Sequence, residues 1–138
     1  MTLWDQMQWL YRKYGCYKES LHTLVKTGEE GIAEITGLME RLRRTPLRSF
    51  GEVKTVEFAD YLYDRVIRLC DGREIRTGLP KSDVLYYELK DDNWVCIRPS
   101  GTEPKIKVYI GTRGATEQEA EERLSVIWEA AAEELGLI

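Results

Sequence analysis

The sequence predicts an α+β domain in which an antiparallel sheet carries two helices on one face. Two observations lead to this prediction: apolar residues recur at helical spacing in two separate segments, and between these segments they alternate in short runs joined by turns. The resulting order of strand, helix, several antiparallel strands and closing helix is typical of this fold class. The 138 residues, 43% of them hydrophobic, are enough for one core of ordinary size.

The opening segment, LWDQMQWLYRKYG, does not belong to that pattern. Its apolar residues recur at spacings of three and four, which predicts an amphipathic helix that ends at Gly15. The apolar stripe consists of Leu3, Trp4, Met7, Leu10, Tyr11 and Tyr14. A stripe of this kind needs a partner surface, so we expect the chain either to self-associate through this helix or to fold the helix onto its own sheet.

The domain proper is expected to begin with a strand and a helix. Alternation in YKESLHTLVKTG predicts a strand that is closed by Gly28. The segment EEGIAEITGLMERLRR then takes a helical period, with acidic residues at its start, arginines at its end and Pro46 beyond it. The predicted inner stripe of this helix consists of Ile32, Ile35, Leu38, Met39 and Leu42.

The remaining elements are two hairpins, a further strand and a last helix. Alternation predicts a strand over residues 52–58, and both Asp71-Gly72 and the segment KDDN mark hairpin turns. A strand over residues 105–110 shows one apolar and one polar face. Thr116 and Glu119 have the spacing of a capping box. The helix that follows is predicted to end at Gly136 and to bury Ala120, Leu124, Ile127, Trp128, Ala131 and Leu135.

Composition excludes several classes of function. A net charge of −4, with basic and acidic residues interleaved, argues against nucleic-acid binding. No apolar run approaches the length of a membrane span, and no signal-peptide pattern opens the chain, so we predict a cytoplasmic protein with no membrane partner. The cysteines, Cys16, Cys70 and Cys96, form no CxxC pair, and the single histidine, His22, has no neighbouring ligand, so no metal site or disulfide is expected.

One loop, inside the stretch VCIRPSGTEPKIKVYIG, has the chemistry of an anion site. Two prolines bracket the segment SGTE and hold it as a loop between two strands. Gly101 allows close approach, Ser100 and Thr102 supply hydroxyls and amides, and Arg98 adds a planar fork of donors. Such a donor-rich concavity suits a phosphomonoester. The alternative that these residues leave open is a stiffened hairpin whose hydroxyls only satisfy their own backbone.

The stretch RPSGTEPKIKVYI resembles the phosphate-binding loop in the last domain of the α-D-phosphohexomutases, the phosphoglucomutase and phosphomannomutase family. The opening segment, LWDQMQWLYRKYGCYKE, is similar to the segment that ends the third domain in the phosphoglucomutase-like branch. The resemblance implies a TATA-binding-protein-like fold. It also implies that residues 1–16 are the last helix of the preceding domain and that residues 17–138 are the C-terminal phosphate-binding domain.

The resemblance further implies a role for each residue of the loop. By position, Arg98, Ser100, Gly101 and Thr102 would contact the substrate phosphate, with Lys105 as a weaker candidate. The whole enzyme would use magnesium to interconvert hexose 1-phosphate and hexose 6-phosphate through a hexose 1,6-bisphosphate. No serine segment or Asp-rich loop of the catalytic kind occurs here, so we expect no catalytic residue and no metal ligand in this chain, and no activity without the other domains.

Two partners are therefore expected, the hexose phosphate and the other domains of the same enzyme. The alternative is a free-standing module that binds a phosphosugar, or another protein, without mutase activity. A role in nucleic-acid binding by analogy to the namesake of the fold is the least favoured, because a fold does not by itself imply a function.

Overall fold

The computed structural model describes residues 15–100 and 103–136. These residues form eight strands, two α-helices and one short 3₁₀ turn. In chain order they are β1 (Cys16–Val25), α1 (Gly28–Arg44), β2 (Ser49–Phe50), β3 (Val53–Asp60), β4 (Arg65–Arg68), β5 (Glu74–Ile75), β6 (Leu85–Leu89), the 3₁₀ turn (Lys90–Asp92), β7 (Asn93–Pro99), β8 (Lys105–Gly114) and α2 (Glu117–Glu134). The helix predicted for the opening segment lies outside the described residues.

All the strands pair in an antiparallel sheet whose order is β1-β8-β7-β6-β3-β4-β5, with β2 beside β3. Strand β1, although first in the chain, pairs with β8, so the two ends of the domain meet at one edge of the sheet. The predicted α+β class, with an antiparallel sheet and two helices, is confirmed. The hairpin turns predicted at Asp71-Gly72 and at residues 90–93 are also confirmed.

The core lies between the helices and one face of the sheet. On β8, Ile106, Val108 and Ile110 are at most 1% exposed, while the residues that alternate with them, Lys105, Lys107 and Tyr109, face the other side. Helix α1 contributes Ile35, Met39 and Leu42, and helix α2 contributes Ile127, Ala131 and Leu135. Burial of one such large aliphatic side chain contributes about 1.5–3 kcal/mol. The helices therefore cover one face of the sheet and leave the other, which we call the open face, without a covering layer of described residues.

The predicted capping box at the start of α2 is confirmed. The Thr116 hydroxyl accepts a hydrogen bond from the Glu119 amide at 3.1 Å, and the Glu119 carboxylate accepts one from the Ala115 amide at 3.2 Å. At the other end, Gly136 takes a φ of +78°, the left-handed conformation that commonly follows a helix.

Two details of the predicted pattern are wrong. Ile32 was expected on the buried stripe of α1, but it is 45% exposed, and Gly31 faces inward instead. A Cβ on Gly31 would lie 2.7 Å from the Cβ of Lys26, so the close approach of the preceding turn leaves no room there for a side chain. In β3 the regular alternation breaks, because the register with β6 shifts between Thr55 and Glu57 and leaves Val56 38% exposed.

No helix among the described residues is long and apolar enough to cross a membrane.

Candidate functional site

The proline-bracketed loop joins the ends of two central strands. Strands β7 and β8 pair so that Arg98 lies opposite Lys107 and Pro99 opposite Ile106. The hairpin closes with a hydrogen bond of 3.0 Å from the Ser100 amide to the Lys105 carbonyl. The two residues at the tip, Gly101 and Thr102, lie outside the described residues. The two strands therefore determine where the ends of the loop lie.

The loop is also tied to the edge of the domain. The amide of Lys26, at the end of β1, donates to the carbonyl of Pro104 at 2.7 Å. A Cβ on Gly31 of helix α1 would lie 3.2 Å from the Cβ of Pro104, so the first turn of the helix packs closely on the loop. These contacts hold Pro104, the second proline, against the start of the helix.

Three basic side chains share the open face beside the loop. Because Ile97, Ile106 and Val108 point into the core, the residues that alternate with them point the opposite way. These residues are Arg98 on β7 and Lys105 and Lys107 on β8.

Arg98 and Lys107 are directly opposed across the strand pair. Neither makes a salt bridge with a carboxylate among residues 15–100 and 103–136. Like charges at directly opposed positions destabilise a sheet, and an anion bound between them relieves that repulsion. Arg98 offers a planar fork that matches two oxygens of a phosphate, and Lys107 adds a point charge. The pair is suited to hold a phosphate group at the mouth of the loop.

Lys105 is in a different position, because it forms an ion pair with Glu103. Their charged atoms lie 2.7 Å apart. The hydrogen bond from Lys105, together with the nearby charge of Lys107, lowers the pKa of Glu103, so this carboxylate is ionised at neutral pH. Glu103 therefore offsets the charge of Lys105 and leaves Arg98 and Lys107 as the less compensated cations.

Comparison with known proteins shows the family to which this domain belongs. Residues 41–127 match the family model described as phosphoglucomutase/phosphomannomutase, C-terminal domain. The chain belongs to this family. The matched range includes β7, the proline-bracketed loop and β8, which together form the candidate site.

Curated relatives of this phosphoglucomutase/phosphomannomutase domain are longer proteins. The phosphoglucomutases of Staphylococcus aureus strains USA300 and N315 are 32% and 31% identical to it over 112 residues. The match covers 81% of this chain but only 20% of each relative. The chain thus spans about a fifth of the length of the curated relatives that it matches.

A solved structure supports the fold. The open form of pp63/parafusin from Paramecium, an exocytosis-sensitive phosphoprotein and phosphoglucomutase, matches with a TM-score of 0.53. The match covers 96% of this chain and 23% of that one, at 12% sequence identity. At this identity the likeness concerns the fold alone.

The structure brings Arg98, Ser100 and Lys105 of the predicted site together at one end of the β7–β8 hairpin. One expectation needs correction: the amide of Ser100 is not free for a ligand, because it donates to Lys105 within the hairpin, so only the hydroxyl remains available. Sequence reasoning missed Lys107. Its opposition to Arg98 depends on the register in which β7 and β8 pair, which no motif in the sequence specifies.

No magnesium site is evident among the described residues. Within residues 15–100 and 103–136, no group of three or more His, Cys, Asp or Glu side chains could hold a metal ion. The magnesium implied by the resemblance has no fitting ligand set among these residues.

Proposed function

We propose that this chain is the part of a phosphohexomutase that grips the substrate phosphate. The whole enzyme would interconvert hexose 1-phosphate and hexose 6-phosphate. The observation that carries this proposal is the opposition of Arg98 and Lys107, neither of them salt-bridged to a carboxylate of the described residues, at the mouth of a loop that contains two hydroxyl residues and a glycine.

The loop residues divide the work of recognition. The guanidinium of Arg98 donates to two phosphate oxygens, and the hydroxyls of Ser100 and Thr102 donate to the same group. Gly101 has no side chain, so the backbone of the tip can approach the phosphate closely. Each charge-assisted hydrogen bond contributes roughly 1.5–3 kcal/mol, so Arg98 dominates the grip. Lys107 adds long-range attraction, and Lys105 contributes less because Glu103 already neutralises it.

The bisphosphate intermediate explains why the grip reads the phosphate alone. A hexose 1,6-bisphosphate presents one phosphate for transfer while the other is held, and the two exchange places between the half-reactions. A site that recognised the sugar ring in one orientation would reject the other. The cationic pair at the loop requires only a phosphate dianion, so it serves both orientations.

Phosphoryl transfer is assigned to the rest of the enzyme. Transfer needs a nucleophile and a metal positioned together, and the chain spans only about a fifth of its curated relatives. The other domains of the same enzyme and the hexose phosphate are the proposed partners, in the cytoplasm. Residues 1–16 are proposed to end the preceding domain, and self-association of the chain through this segment stays a prediction.

Substitution of Arg98 tests the proposal. Ligand-observed ³¹P NMR of the chain with glucose 1-phosphate measures the affinity. We expect Arg98→Ala to weaken binding at least about tenfold, a loss of about 1.4 kcal/mol. Lys105→Ala should weaken binding less than Arg98→Ala does. Arg73→Ala, which removes an exposed arginine at the far hairpin, is the matched control and should leave binding unchanged. Unaltered affinity in Arg98→Ala would overturn the assignment.

The alternative, a free-standing phosphosugar-binding module, predicts the same binding of phosphate but a gene without an upstream catalytic segment. A reading frame that continues upstream of Met1 through a serine-containing catalytic segment supports the mutase. A start of translation at Met1, with no mutase activity when the chain is mixed with a mutase that lacks its last domain, supports the module.

A further inference from the structure

Strand β1 is an edge strand whose outer side pairs with no described strand. It is ten residues long and pairs without interruption with β8 along its other side. It contains no proline and no bulge. Natural edge strands are usually short, bulged or interrupted by proline, since a long regular edge is a template for another strand.

The hydrogen bond from Lys26 to Pro104 determines which backbone groups of β1 face outward. Lys26 lies opposite Pro104 in register and bonds to it, so the even-numbered residues of β1 form the hydrogen-bonded pairs with β8. The odd-numbered residues then direct their N–H and C=O groups toward the free edge. These residues are Tyr17, Glu19, Leu21, Thr23 and Val25.

Three of these five residues expose large apolar side chains on the open face. Tyr17, Leu21 and Val25 are 57%, 52% and 62% exposed. Backbone groups that pair with no described strand and apolar side chains that no described residue covers therefore coincide on one strand. A partner strand would satisfy the first and cover the second.

A second copy of β1 fits this edge in one register. When two copies run antiparallel about a two-fold axis at Leu21, odd-numbered residues face odd-numbered residues, as the hydrogen bonding requires. Leu21 then faces itself and Tyr17 faces Val25, so all three apolar residues of each copy gain an apolar neighbour.

The charges agree with the same register. Lys18 faces Leu24, and Glu19 faces Thr23, so no like charges are opposed. A slip by two residues would instead place Glu19 against Leu21 or Val25 and would leave one end of the strand unpaired. Only the register centred on Leu21 uses the whole of β1.

We infer that this chain forms a two-fold dimer by antiparallel pairing of two β1 strands, which joins two eight-stranded sheets into one. The contact is isologous, so it closes at two copies. It involves neither the loop nor Arg98, and it does not depend on the proposed function.

Sedimentation velocity of the full chain, at concentrations up to about 1 mM, tests the dimer. The wild-type chain should sediment with twice its mass of 16.1 kDa. Leu21→Lys places two like charges on the two-fold axis and should give a monomer, and Leu21→Glu should do the same. A mixture of the two variants should recover a dimer, because position 21 of one copy then faces the opposite charge of the other.

Two control variants distinguish this contact from other modes of association. Ile75→Lys changes a residue equally exposed, at 52%, on the strand at the opposite edge and should leave the dimer intact. Deletion of residues 2–14 should also leave it intact, whereas association through the opening segment would be lost. A monomeric wild-type chain, a dimeric Leu21→Lys variant or a failure of the mixture to recover the dimer would each overturn the inference.

Discussion

The guanidinium of Arg43 is a buried charge that joins helix α1 to the sheet. Its Nε donates to Asp60 at the end of β3 at 3.2 Å, and its other nitrogens contact Glu40 and Asp83. The side chain of Asp60 is fully buried, and one of its carboxylate oxygens has no hydrogen-bond partner in the described part of the chain. Arg43 is therefore the principal compensation for the Asp60 charge.

Arg43→Ala should destabilise the domain by about 3–5 kcal/mol, because it leaves the buried Asp60 carboxylate without a cationic partner and with only the Leu62 amide as a hydrogen-bond donor among the described residues. Urea denaturation followed by circular dichroism measures the free energy of unfolding. Arg44→Ala, which removes the adjacent exposed arginine, should change it by no more than about 0.5 kcal/mol. A cost below about 1 kcal/mol for Arg43→Ala would show that Asp60 is satisfied in another way.

His22 stacks on Trp128 of helix α2, with ring centroids 3.7 Å apart and planes within 6°. Burial lowers the pKa of His22 below its usual value of 6.5, so the folded domain prefers the neutral ring. The unfolded chain binds the proton more readily, so this contribution to stability is present above pH 6.5 and is lost as the pH falls through the folded-state pKa.

The stability of the wild-type chain should therefore fall between pH 7.5 and pH 5, and His22→Phe, which retains the stacking but not the proton, should fall less. Urea denaturation at several pH values gives the comparison, and the acidic groups common to both proteins cancel. An identical decrease in the two proteins would exclude His22 as its source.

At the scale of elements, close approaches decide where a side chain is tolerated. Trp94 of β7 lies against Gly111 of β8, and a Cβ added at Gly111 would lie 2.2 Å from the indole nitrogen. At Gly37, in the middle of helix α1, the same added group would meet nothing within 4 Å apart from the adjoining backbone of the helix itself. A side chain is therefore sterically excluded at Gly111 and sterically tolerated at Gly37.

Gly111→Ala should destabilise the domain by about 1–3 kcal/mol, because Trp94 must shift on a packed sheet. Gly37→Ala should stabilise it by about 0.5–1 kcal/mol through improved helix propensity. Thermal denaturation monitored by circular dichroism gives both signs. If Gly111→Ala does not destabilise the domain, Trp94 does not exclude a side chain at position 111.

Local patterns were sufficient for most elements. Alternation located β8, and the Thr116–Glu119 spacing located the start of α2, because both signals depend on residues close in sequence. The bulge at Val56 and the exposure of Ile32 escaped prediction, since they depend on a neighbouring strand and on the turn before the helix. For the same reason the amide of Ser100 was expected to be free, although the hairpin uses it.

The candidate site was predicted where a motif carried it. Arg98 and the loop residues followed from the spacing of two prolines and from a resemblance over thirteen continuous residues. Lys107 has no mark of its own in the sequence and emerges only when the register of β7 and β8 is known. The opposed cations Arg98 and Lys107 are thus identified by the pairing of the strands and not by a sequence motif.

At the scale of the whole molecule, the proposed phosphate grip and the proposed dimer contact use different parts of one sheet. The loop lies where β7 turns into β8, and the contact lies along the outer edge of β1. Lys26, the residue that follows β1, links them, since its amide donates to the carbonyl of Pro104. The phosphate grip is the central claim. Membership of the family rests on the sequence match, whereas the proposed role of the loop rests on the opposition of Arg98 and Lys107 beside it.

The most direct test of that claim is a backbone NMR titration of the chain with glucose 1-phosphate. We predict saturable chemical-shift changes of the amides of Ser100, Gly101 and Thr102. The dissociation constant should be on the order of millimolar, which corresponds to a binding free energy of about −4 kcal/mol. An equal concentration of glucose should cause no shift changes. If these amides do not move, or if glucose moves them equally, the loop of this chain does not bind phosphate and the account is contradicted.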